Sequence, residues 1–449
     1  MKAAAAIVFA LFVVALPAHG EQFLSVSDVH FNPFADPTIF AKLEAADVSQ
    51  WEAILASSTQ TAFSTYGNDV NDPLFRSAVG EMQKRIASPA FVLISGDFLA
   101  HDFQKNYQQY ATDKSQTAYT AFVAKTNAYI ASVFRKAYPD TRIYPTLGNN
   151  DSDCGDYAVV PEGAYLKDFR DVWRPIVRAP NFDRRFPTGG YYHADVPSLR
   201  NVRVIALNTN FFSTEYKNPC GTSGGPDPGL RELEWLDAEL DLARDLGKRV
   251  WLLFHIPPGM DVYDTVTYGG ACPTVQAQTF WKDEYAQKYL AIAAAHQSTI
   301  GGSFAGHTHQ DEFRLAAGDF IHITPSITPI FGNNPAFEIV DVQRNGDITD
   351  YTAFHLPNVT VPWAREYAFA ETYGKTAYNT ATLTQLAAAI GSDATTRTTY
   401  LGYSTSGAPK STASALAVWR GYWCGLTTLD VQPFMTCYCA GTPAPAPAP

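Results

Sequence analysis

Five times along the chain, a short apolar segment runs directly into a loop that begins with Asp, Asn or His. The segments are apolar on both faces, which is typical of strands buried between two layers, and helical patterns between them indicate an α/β fold. Residues at the carboxyl ends of such strands converge at one edge of the sheet, where open α/β sheets build their sites. The segments are residues 23–27 before Asp28, 91–94 before Asp97, 143–147 before Asn149, 250–254 before His255, and 303–305 before His307.

Two of these loops carry a pair of polar residues separated by one position. Asp28 and His30 follow the first segment, and an extended backbone would point both side chains the same way, as two ligands of one ion require. His307 and His309 follow Gly306 with the spacing of ligands on adjacent ions.

The residues after the other three segments have ordinary explanations when each is taken alone. Asp97 could be a cap or turn residue, Asn149 a turn residue and His255 a core histidine. Five independent coincidences at five strand ends are harder to accept. A dinuclear metal centre explains all five loops at once.

The ordered set of polar residues resembles that of the calcineurin-like metallophosphoesterases, whose fold is a four-layered αββα sandwich. The resemblance is carried by Asp28-x-His30, Gly96-Asp97, Gly148-Asn149, His255 and Gly306-His307-x-His309. Longer stretches are similar to the acid sphingomyelinase-like phosphodiesterases of that superfamily, namely Gly96-Asp97-x-x-x-His101-Asp102, His255-Ile256-Pro257-Pro258-Gly259, residues 306–313 and residues 324–329. This resemblance covers roughly residues 21–355.

The resemblance implies a set of seven metal ligands. One ion would be bound by Asp28, His30 and His309, the other by Asn149, His255 and His307, with Asp97 bridging the two. Imidazole, carboxylate and amide ligands without thiolates suit Zn²⁺, with manganese or magnesium as alternatives. Two such ions hold a hydroxide, align phosphate oxygens and offset the charge that develops during in-line displacement. The implied activity is hydrolysis of phosphodiester or phosphoanhydride bonds.

One position departs from the pattern of the resembling family. The usual motif after the third strand is Gly-Asn-His, and that histidine helps to protonate the leaving oxygen, whereas this chain has Asn150, which cannot act as an acid. His101 becomes the main candidate for the general acid. Asp151 or Asp102 could assist it, and the alternative for His101 is a residue that only orients a neighbour.

The chain is predicted to contain four segments. Lys2, an apolar run and a small-residue pattern ending at Gly20 are typical of a signal peptide over residues 1–20, which indicates a secreted protein or one of a lysosome-like or vacuolar lumen. Residues 21–358 are predicted to form the metallophosphoesterase domain. Strand signals stop at about residue 360, so residues 359–440 are predicted to form a small helical subdomain closed by cysteines, followed by a Pro-Ala tail over residues 441–449.

Several local patterns give element and modification predictions. The clearest helix has Asp227 as N-cap, Pro228 at its first position and a leucine stripe that runs to Gly247. Helices are also predicted near residues 115–137 and 280–297, and strands at 190–196, 202–208 and 336–342. Asn358 opens an N-glycosylation sequon. Six cysteines predict up to three disulfides, whose pairing stays open: Cys154, Cys220, Cys272, Cys424, Cys437 and Cys439.

Charge and composition restrict the partners. The 449 residues contain 33 Lys and Arg against 44 Asp and Glu, a formal net charge of −11, which disfavours binding of nucleic acid. After the signal peptide, no segment is long and apolar enough to span a bilayer, so stable membrane insertion is not expected. The expected partner is a small-molecule substrate, and the oligomeric state is left open.

The substrate is predicted from what precedes the first strand. Acid sphingomyelinases proper carry a lipid-extracting domain ahead of the catalytic one, and no such domain is expected between the signal peptide and Asp28. Soluble nucleotides or phosphocholine-type esters are therefore expected ahead of sphingomyelin. Residues 148–151 are also similar to the endopolyphosphatases, which makes polyphosphate a third candidate. The non-enzyme alternative, suggested by Asn150, is a pseudoenzyme that retains its metals and binds phosphate ligands.

Overall fold

The computed structural model describes residues 20–221 and 225–440. The predicted signal peptide, apart from Gly20, and the predicted Pro-Ala tail lie outside the described residues. The described part is an α/β structure built on two six-stranded sheets and many helices.

The first sheet has the strand order β14-β13-β12-β1-β2-β3. Strands β1, β2 and β3 are parallel, and β12, β13 and β14 extend the sheet in antiparallel fashion from β1. The strands are β1 Glu21–Val26, β2 Val92–Ile94, β3 Ile143–Pro145, β12 Ala336–Val342, β13 Ile348–His355 and β14 Ala364–Ala368.

The second sheet has the strand order β10-β11-β9-β6-β5-β4. Strands β5, β6, β9 and β11 are parallel, and antiparallel strands close both edges. The strands are β4 Tyr192–Asp195, β5 Val202–Ala206, β6 Arg249–Leu253, β9 Ile300–Ala305, β10 Glu312–Ala316 and β11 Asp319–Ile323. A separate two-stranded ribbon pairs β7 Met260–Asp261 with β8 Gln278–Thr279.

The helices of the first 300 residues follow the strands of the two sheets. They are α1 Pro37–Ala45, α2 Trp51–Ala56, α3 Asp72–Arg85, α4 Phe103–Tyr110, α5 Gln116–Ala137, α6 Ala164–Val177, α7 Pro180–Gly189, α8 Pro228–Asp245, α9 Val262–Tyr268 and α10 Asp283–Ala295. The C-terminal helices are α11 Phe369–Tyr373, α12 Thr380–Ser392, α13 Ala394–Ser404, α14 Pro409–Ala417, α15 Trp419–Gly425 and α16 Val431–Tyr438.

The two sheets face each other across a shared apolar core. Phe23 of the first sheet packs against Trp251 and Phe304 of the second, with ring centroids 5.4 and 5.6 Å apart. Helix α3 covers the opposite face of the first sheet, where Arg85 lies over the ring of Phe354. Helix α8 covers the second sheet, where Glu239 bonds His193. The predicted α/β sandwich of helix, sheet, sheet and helix is confirmed.

The sequence predicts α8 well and the C-terminal strands less well. Asp227 caps α8 by accepting a hydrogen bond from the Leu230 N–H, as predicted, and Leu246 at the end of the leucine stripe is exposed. The prediction that strands stop at about residue 360 is wrong, because β14 forms the edge of the first sheet through residue 368. This strand is only five residues long and its two charged residues, Arg365 and Glu366, are adjacent, so it lacks the alternation that identifies a strand in a sequence.

All six cysteines form disulfides. The pairs are Cys154–Cys220, Cys272–Cys439 and Cys424–Cys437. The second pair connects the loop after α9 to the C-terminal helices across 167 residues. Apolar residues of α12 and α13 belong to the same core cluster as the two sheets, so these C-terminal helices pack on the sandwich. None of the helices that the structure describes has the length and apolarity needed to cross a membrane.

Candidate metal centre

The predicted site residues converge at the carboxyl ends of β1, β2, β3, β6 and β9. Several of them occupy the left-handed region of backbone conformation, with φ of 50° at Asp28, 43° at His30, 55° at Asp97, 75° at His307 and 61° at His309. This conformation is uncommon for residues other than glycine and costs on the order of 1 kcal/mol or more at each position. Such strain persists where the surrounding structure imposes it, and five of the 14 non-glycine residues with positive φ in the described chain are predicted ligands.

The prediction that an extended backbone points the Asp28 and His30 side chains the same way is wrong. Strand β1 ends at Val26, and both residues then adopt left-handed backbone angles instead of continuing the strand. The two side chains still meet, with Asp28 Oδ1 3.7 Å from His30 Nε2. The Asp28 and His30 side chains are therefore brought together by the conformation of the loop, and not by the alternation of side chains along a strand.

Asp97 lies between two histidines from different sheets. Its Oδ2 atom is 3.3 Å from His30 Nε2 and 3.2 Å from His255 Nε2. All three side chains are buried. One carboxylate oxygen therefore faces a histidine from each half of the predicted ligand set.

Like Asp97, Asp28 lies between two of the predicted histidine ligands. Its Oδ1 atom is 3.2 Å from His309 Nε2 and 3.9 Å from His255 Nε2. The Asn149 side-chain oxygen lies 3.1 Å from His255 Nε2. The ring of His307 packs beside that of His255, with centroids 5.1 Å apart, and its backbone N–H donates to Asp28 Oδ2 at 3.1 Å. The structure brings all seven predicted ligands together.

Two histidines are held in an orientation suited to metal binding. His30 Nδ1 lies 3.0 Å from the Leu99 carbonyl oxygen, and His255 Nδ1 lies 2.7 Å from that of Ser95. When Nδ1–H donates to a carbonyl, Nε2 keeps its lone pair, which is the usual arrangement of a metal-binding histidine. Within the described residues, the buried His30 Nε2 has no hydrogen-bond partner.

The charges in the site are strongly coupled. Burial alone would lower the pKa of His30 and His255, but the Asp97 and Asp28 carboxylates outweigh it and raise these pKa values to about 10 and about 9. Burial and the neighbouring His255 lower the pKa of His307 to about 3, which keeps that imidazole neutral. Without a cation, the carboxylates are thus balanced by protons on His30 and His255, and a cation would replace those protons.

Two glycines next to the ligands are required by close packing. A Cβ atom at Gly148 would lie 2.0 Å from Asp97 Oδ1, and one at Gly306 would lie 2.0 Å from Ser27 Oγ. Neither space accommodates a side chain. The glycines in the sequence motifs therefore allow the ligand loops to approach one another.

His101 lies at the edge of the ligand cluster. Its ring stacks on that of His30 with centroids 4.1 Å apart, and about 29% of its side chain is exposed. Its Nδ1 is 3.0 Å from Asp69 Oδ1, and its backbone N–H donates to Asp69 Oδ2 at 2.8 Å. Asp69 is not predicted from the sequence, because it lies in a Gly-Asn-Asp stretch that is typical of an ordinary turn.

The other acidic residues considered near the site have different surroundings. Asp151 is fully buried and accepts hydrogen bonds from the backbone N–H groups of Phe98 and Gly148, at 2.8 Å each. It holds two ligand loops together. The Asp102 side chain is 63% exposed and pairs with Lys105. Asn150 is buried and donates to both oxygens of Asp97.

Two facing sheets with helices on their outer faces, and Asp, His and Asn side chains gathered at the strand ends, agree with the fold and the ligand set that the sequence motifs predict. No protein-family model matches the chain. The chain is 28% identical over 401 residues to the sphingomyelinase phosphodiesterase D of Dictyostelium discoideum, covering 81% of this chain and 82% of that one. It is 23% identical to the acid sphingomyelinase-like phosphodiesterase 3b of Homo sapiens, covering 83% and 81%.

A third relative is named for a nucleotide substrate. The cyclic GMP-AMP phosphodiesterase of Rattus norvegicus is 25% identical, covering 80% of this chain and 79% of that one. Among solved structures, a dimetal phosphatase from Danio rerio is 13% identical with a TM-score of 0.43, covering 77% of this chain and 98% of that one. The chain is a homologue of the acid sphingomyelinase-like phosphodiesterases, and the resemblance seen in the sequence motifs is confirmed.

Proposed function

We propose that the protein is a metal-dependent phosphodiesterase that hydrolyses soluble phosphodiesters or phosphoanhydrides, with nucleotides as the favoured substrates and phosphocholine-type esters as the next. The observation that supports this proposal most strongly is that Nε2 of His30 and Nε2 of His255 both face the same carboxylate oxygen of Asp97. The relatives compared above are all named phosphodiesterases, which supports a hydrolase of phosphoric esters.

The residues present fit two divalent ions. His30 Nε2 is buried without a hydrogen-bond partner among the described residues. Because Nδ1 of His30 and of His255 is hydrogen-bonded to a backbone carbonyl, the Nε2 lone pair of each ring is available to a metal ion. We assign Asp28, His30 and His309 to one ion, Asn149, His255 and His307 to the other, and Asp97 to both. Zn²⁺ suits this set of imidazole, carboxylate and amide donors. When bound, two such ions supply an activated water and neutralise phosphate charge.

His101 is the group proposed to donate the proton to the leaving oxygen. It is partly exposed, and it stacks against His30 at the edge of the cluster, where a bound phosphodiester would extend outward. Asp69 fixes this residue by two hydrogen bonds, accepting one from the His101 backbone N–H at Oδ2 and pairing with the ring Nδ1 at Oδ1. With Nδ1–H directed at Asp69, the proton available for transfer is on Nε2. Asp69 is a positioning residue because it acts through His101.

The proposed location is outside the cell or in a lysosome-like or vacuolar lumen. All six cysteines are paired, which is typical of an oxidising compartment. Asn358 of the predicted sequon is exposed, whereas Asn150, which opens an Asn-Asp-Ser sequon as well, is buried against Asp97. We therefore propose glycosylation at Asn358.

The test is a substrate panel with the zinc-loaded protein at pH 5 and pH 7. It compares ATP, a cyclic dinucleotide, polyphosphate and sphingomyelin in anionic vesicles without detergent. We expect kcat/KM to be higher for the soluble nucleotides than for vesicle sphingomyelin. A higher value for sphingomyelin would establish the lipid alternative that the names of two relatives suggest.

A second assay separates an enzyme from a binding protein. Bis-(p-nitrophenyl) phosphate needs little help from a general acid, so any active metal centre should turn it over. We expect turnover that depends on zinc and is removed by a chelator. Metal-loaded protein that binds phosphate without turnover would instead be a pseudoenzyme.

A further inference from the structure

Phe331 places an exposed aromatic ring beside the candidate acid. About 65% of this residue is exposed. Its ring centroid lies 5.4 Å from that of His101 and 4.8 Å from that of His309. A single exposed apolar residue is common on a protein surface, but this one contacts a proposed metal ligand and the proposed proton donor.

The loop that carries Phe331 is held in place by hydrogen bonds. The Gly332 N–H donates to the Pro329 carbonyl at 3.0 Å, and the Gly332 carbonyl accepts from the Ser411 hydroxyl of α14 at 2.8 Å. The next residue, Asn333, is buried and donates to the Ser326 hydroxyl at 2.8 Å. The exposed ring is thus presented by a fixed backbone, which reduces the entropy that binding to it would cost.

The surroundings on this side of the site are polar. Asp69, which holds His101, and Asn32 border a cavity of about 460 Å³. Its lining is mostly polar, with Thr59, Thr61, Ser64, Thr65 and Asn68 beside the apolar Phe63 and two alanines. Hydroxyl and amide groups suit a hydroxyl-rich leaving group such as a nucleoside, and they suit the acyl chains of a ceramide poorly.

We propose that Phe331 is a specificity-determining residue that stacks on the nucleobase of the leaving nucleoside. The inference rests on the proposed function, because His101 marks the side of the leaving group only if it donates the proton there. Phe331 lies against His101 and hence on that side. A choline group retained on the phosphate would lie away from this ring. Stacking of a base on an aromatic side chain does not depend on the identity of the base, so the preference is for planar leaving groups as a class.

The experiment measures KM and kcat with zinc-loaded enzyme on two diesters. In adenylyl-(3′→5′)-adenosine both ester groups carry a base, whereas in glycerophosphocholine neither does. Phe331→Ala and Phe331→Leu are expected to raise KM for the dinucleotide by about 5- to 150-fold and to lower the ratio of kcat/KM between the two substrates. Phe331→Trp, which keeps an aromatic face, is expected to retain the wild-type ratio.

Tyr268→Ala is the matched control, because Tyr268 is 74% exposed and its ring packs only against Tyr263 among the described aromatic contacts. It should leave both substrates unaffected. The stacking proposal is overturned if the ratio is unchanged in Phe331→Ala, if Phe331→Leu behaves like the wild type, or if only glycerophosphocholine is hydrolysed. Wild-type enzyme that hydrolyses neither diester would overturn the proposed function itself, so the two failures are distinguishable.

Discussion

Asn150 donates two hydrogen bonds to Asp97, from its backbone N–H to Oδ1 at 2.8 Å and from its side-chain amide to Oδ2 at 2.9 Å. Oδ2 is the oxygen that faces both His30 and His255. Asn150 therefore fixes the carboxylate that would be shared by two ions. The residue that replaces the histidine of the resembling family serves here as a support for Asp97, which leaves proton donation to another group.

Asn150→Ala is expected to weaken metal binding by about 10- to 100-fold, because it removes the side-chain hydrogen bond that orients Asp97. The measurement is a zinc titration in competition with a chelator, accompanied by turnover of bis-(p-nitrophenyl) phosphate. Asn358→Ala changes an exposed asparagine and serves as the control. Equal zinc affinity in Asn150→Ala and in the wild type would contradict the supporting role.

Removal of the metal should abolish turnover, and Asp97→Asn should be the harshest single ligand substitution. Asp97 faces the ligands of both ions, so its neutralisation weakens both sites, whereas His309→Ala weakens one. Chelator-treated enzyme is expected to regain activity when zinc is added. Full activity in protein shown by elemental analysis to be free of metal would refute the proposed mechanism.

His101→Ala should slow substrates with poor leaving groups far more than p-nitrophenyl esters. Loss of a general acid costs typically 10²- to 10⁴-fold, about 3 to 5.5 kcal/mol of barrier. Asp69→Asn should produce a smaller loss with the same dependence on the leaving group, because the ring remains but the carboxylate that orients it is gone. Equal losses on both kinds of substrate would make His101 a structural residue.

Glu338 should make the wild type lose stability as the pH rises. Its side chain is fully buried between the sheets, with Oε2 2.7 Å from His322 Nε2, and burial raises its pKa well above the ordinary 4.5. Burial lowers the pKa of His322 to about 4, so that imidazole is neutral and does not offset the effect. A carboxyl group with a raised folded-state pKa contributes its full stability below about pH 4.5 and loses it as the pH rises through the folded value.

Urea unfolding at a series of pH values from about 5 to about 8 tests this prediction. Glu338→Gln removes the ionisable group, so its stability should fall less than that of the wild type over this range. Glu371→Gln alters a side chain that is 71% exposed and should follow the wild type. The prediction fails if Glu338→Gln and the wild type have the same pH dependence.

The sequence alone determined the five strands that precede the ligand loops, the order of the ligand set and the principal helix. Residues such as Asp28, Asp97 and His255 follow short apolar runs bounded by turn residues, a pattern typical of buried strands, and parallel strands bring their carboxyl ends to one edge. The α8 helix is marked by its own cap and leucine spacing. These features are encoded within a few neighbouring residues, which is why they can be recognised without coordinates.

Only the tertiary structure decided the features that depend on contacts between distant segments. Asp69 reaches His101 from a separate loop, and Asn150 reaches Asp97 across 53 residues. The disulfide pairing, the sheet position of β14 and the place of Phe331 depend in the same way on how the loops are packed together. Local pattern reports the chemistry that a residue carries, whereas its partners are set by the packing of segments far apart in the chain.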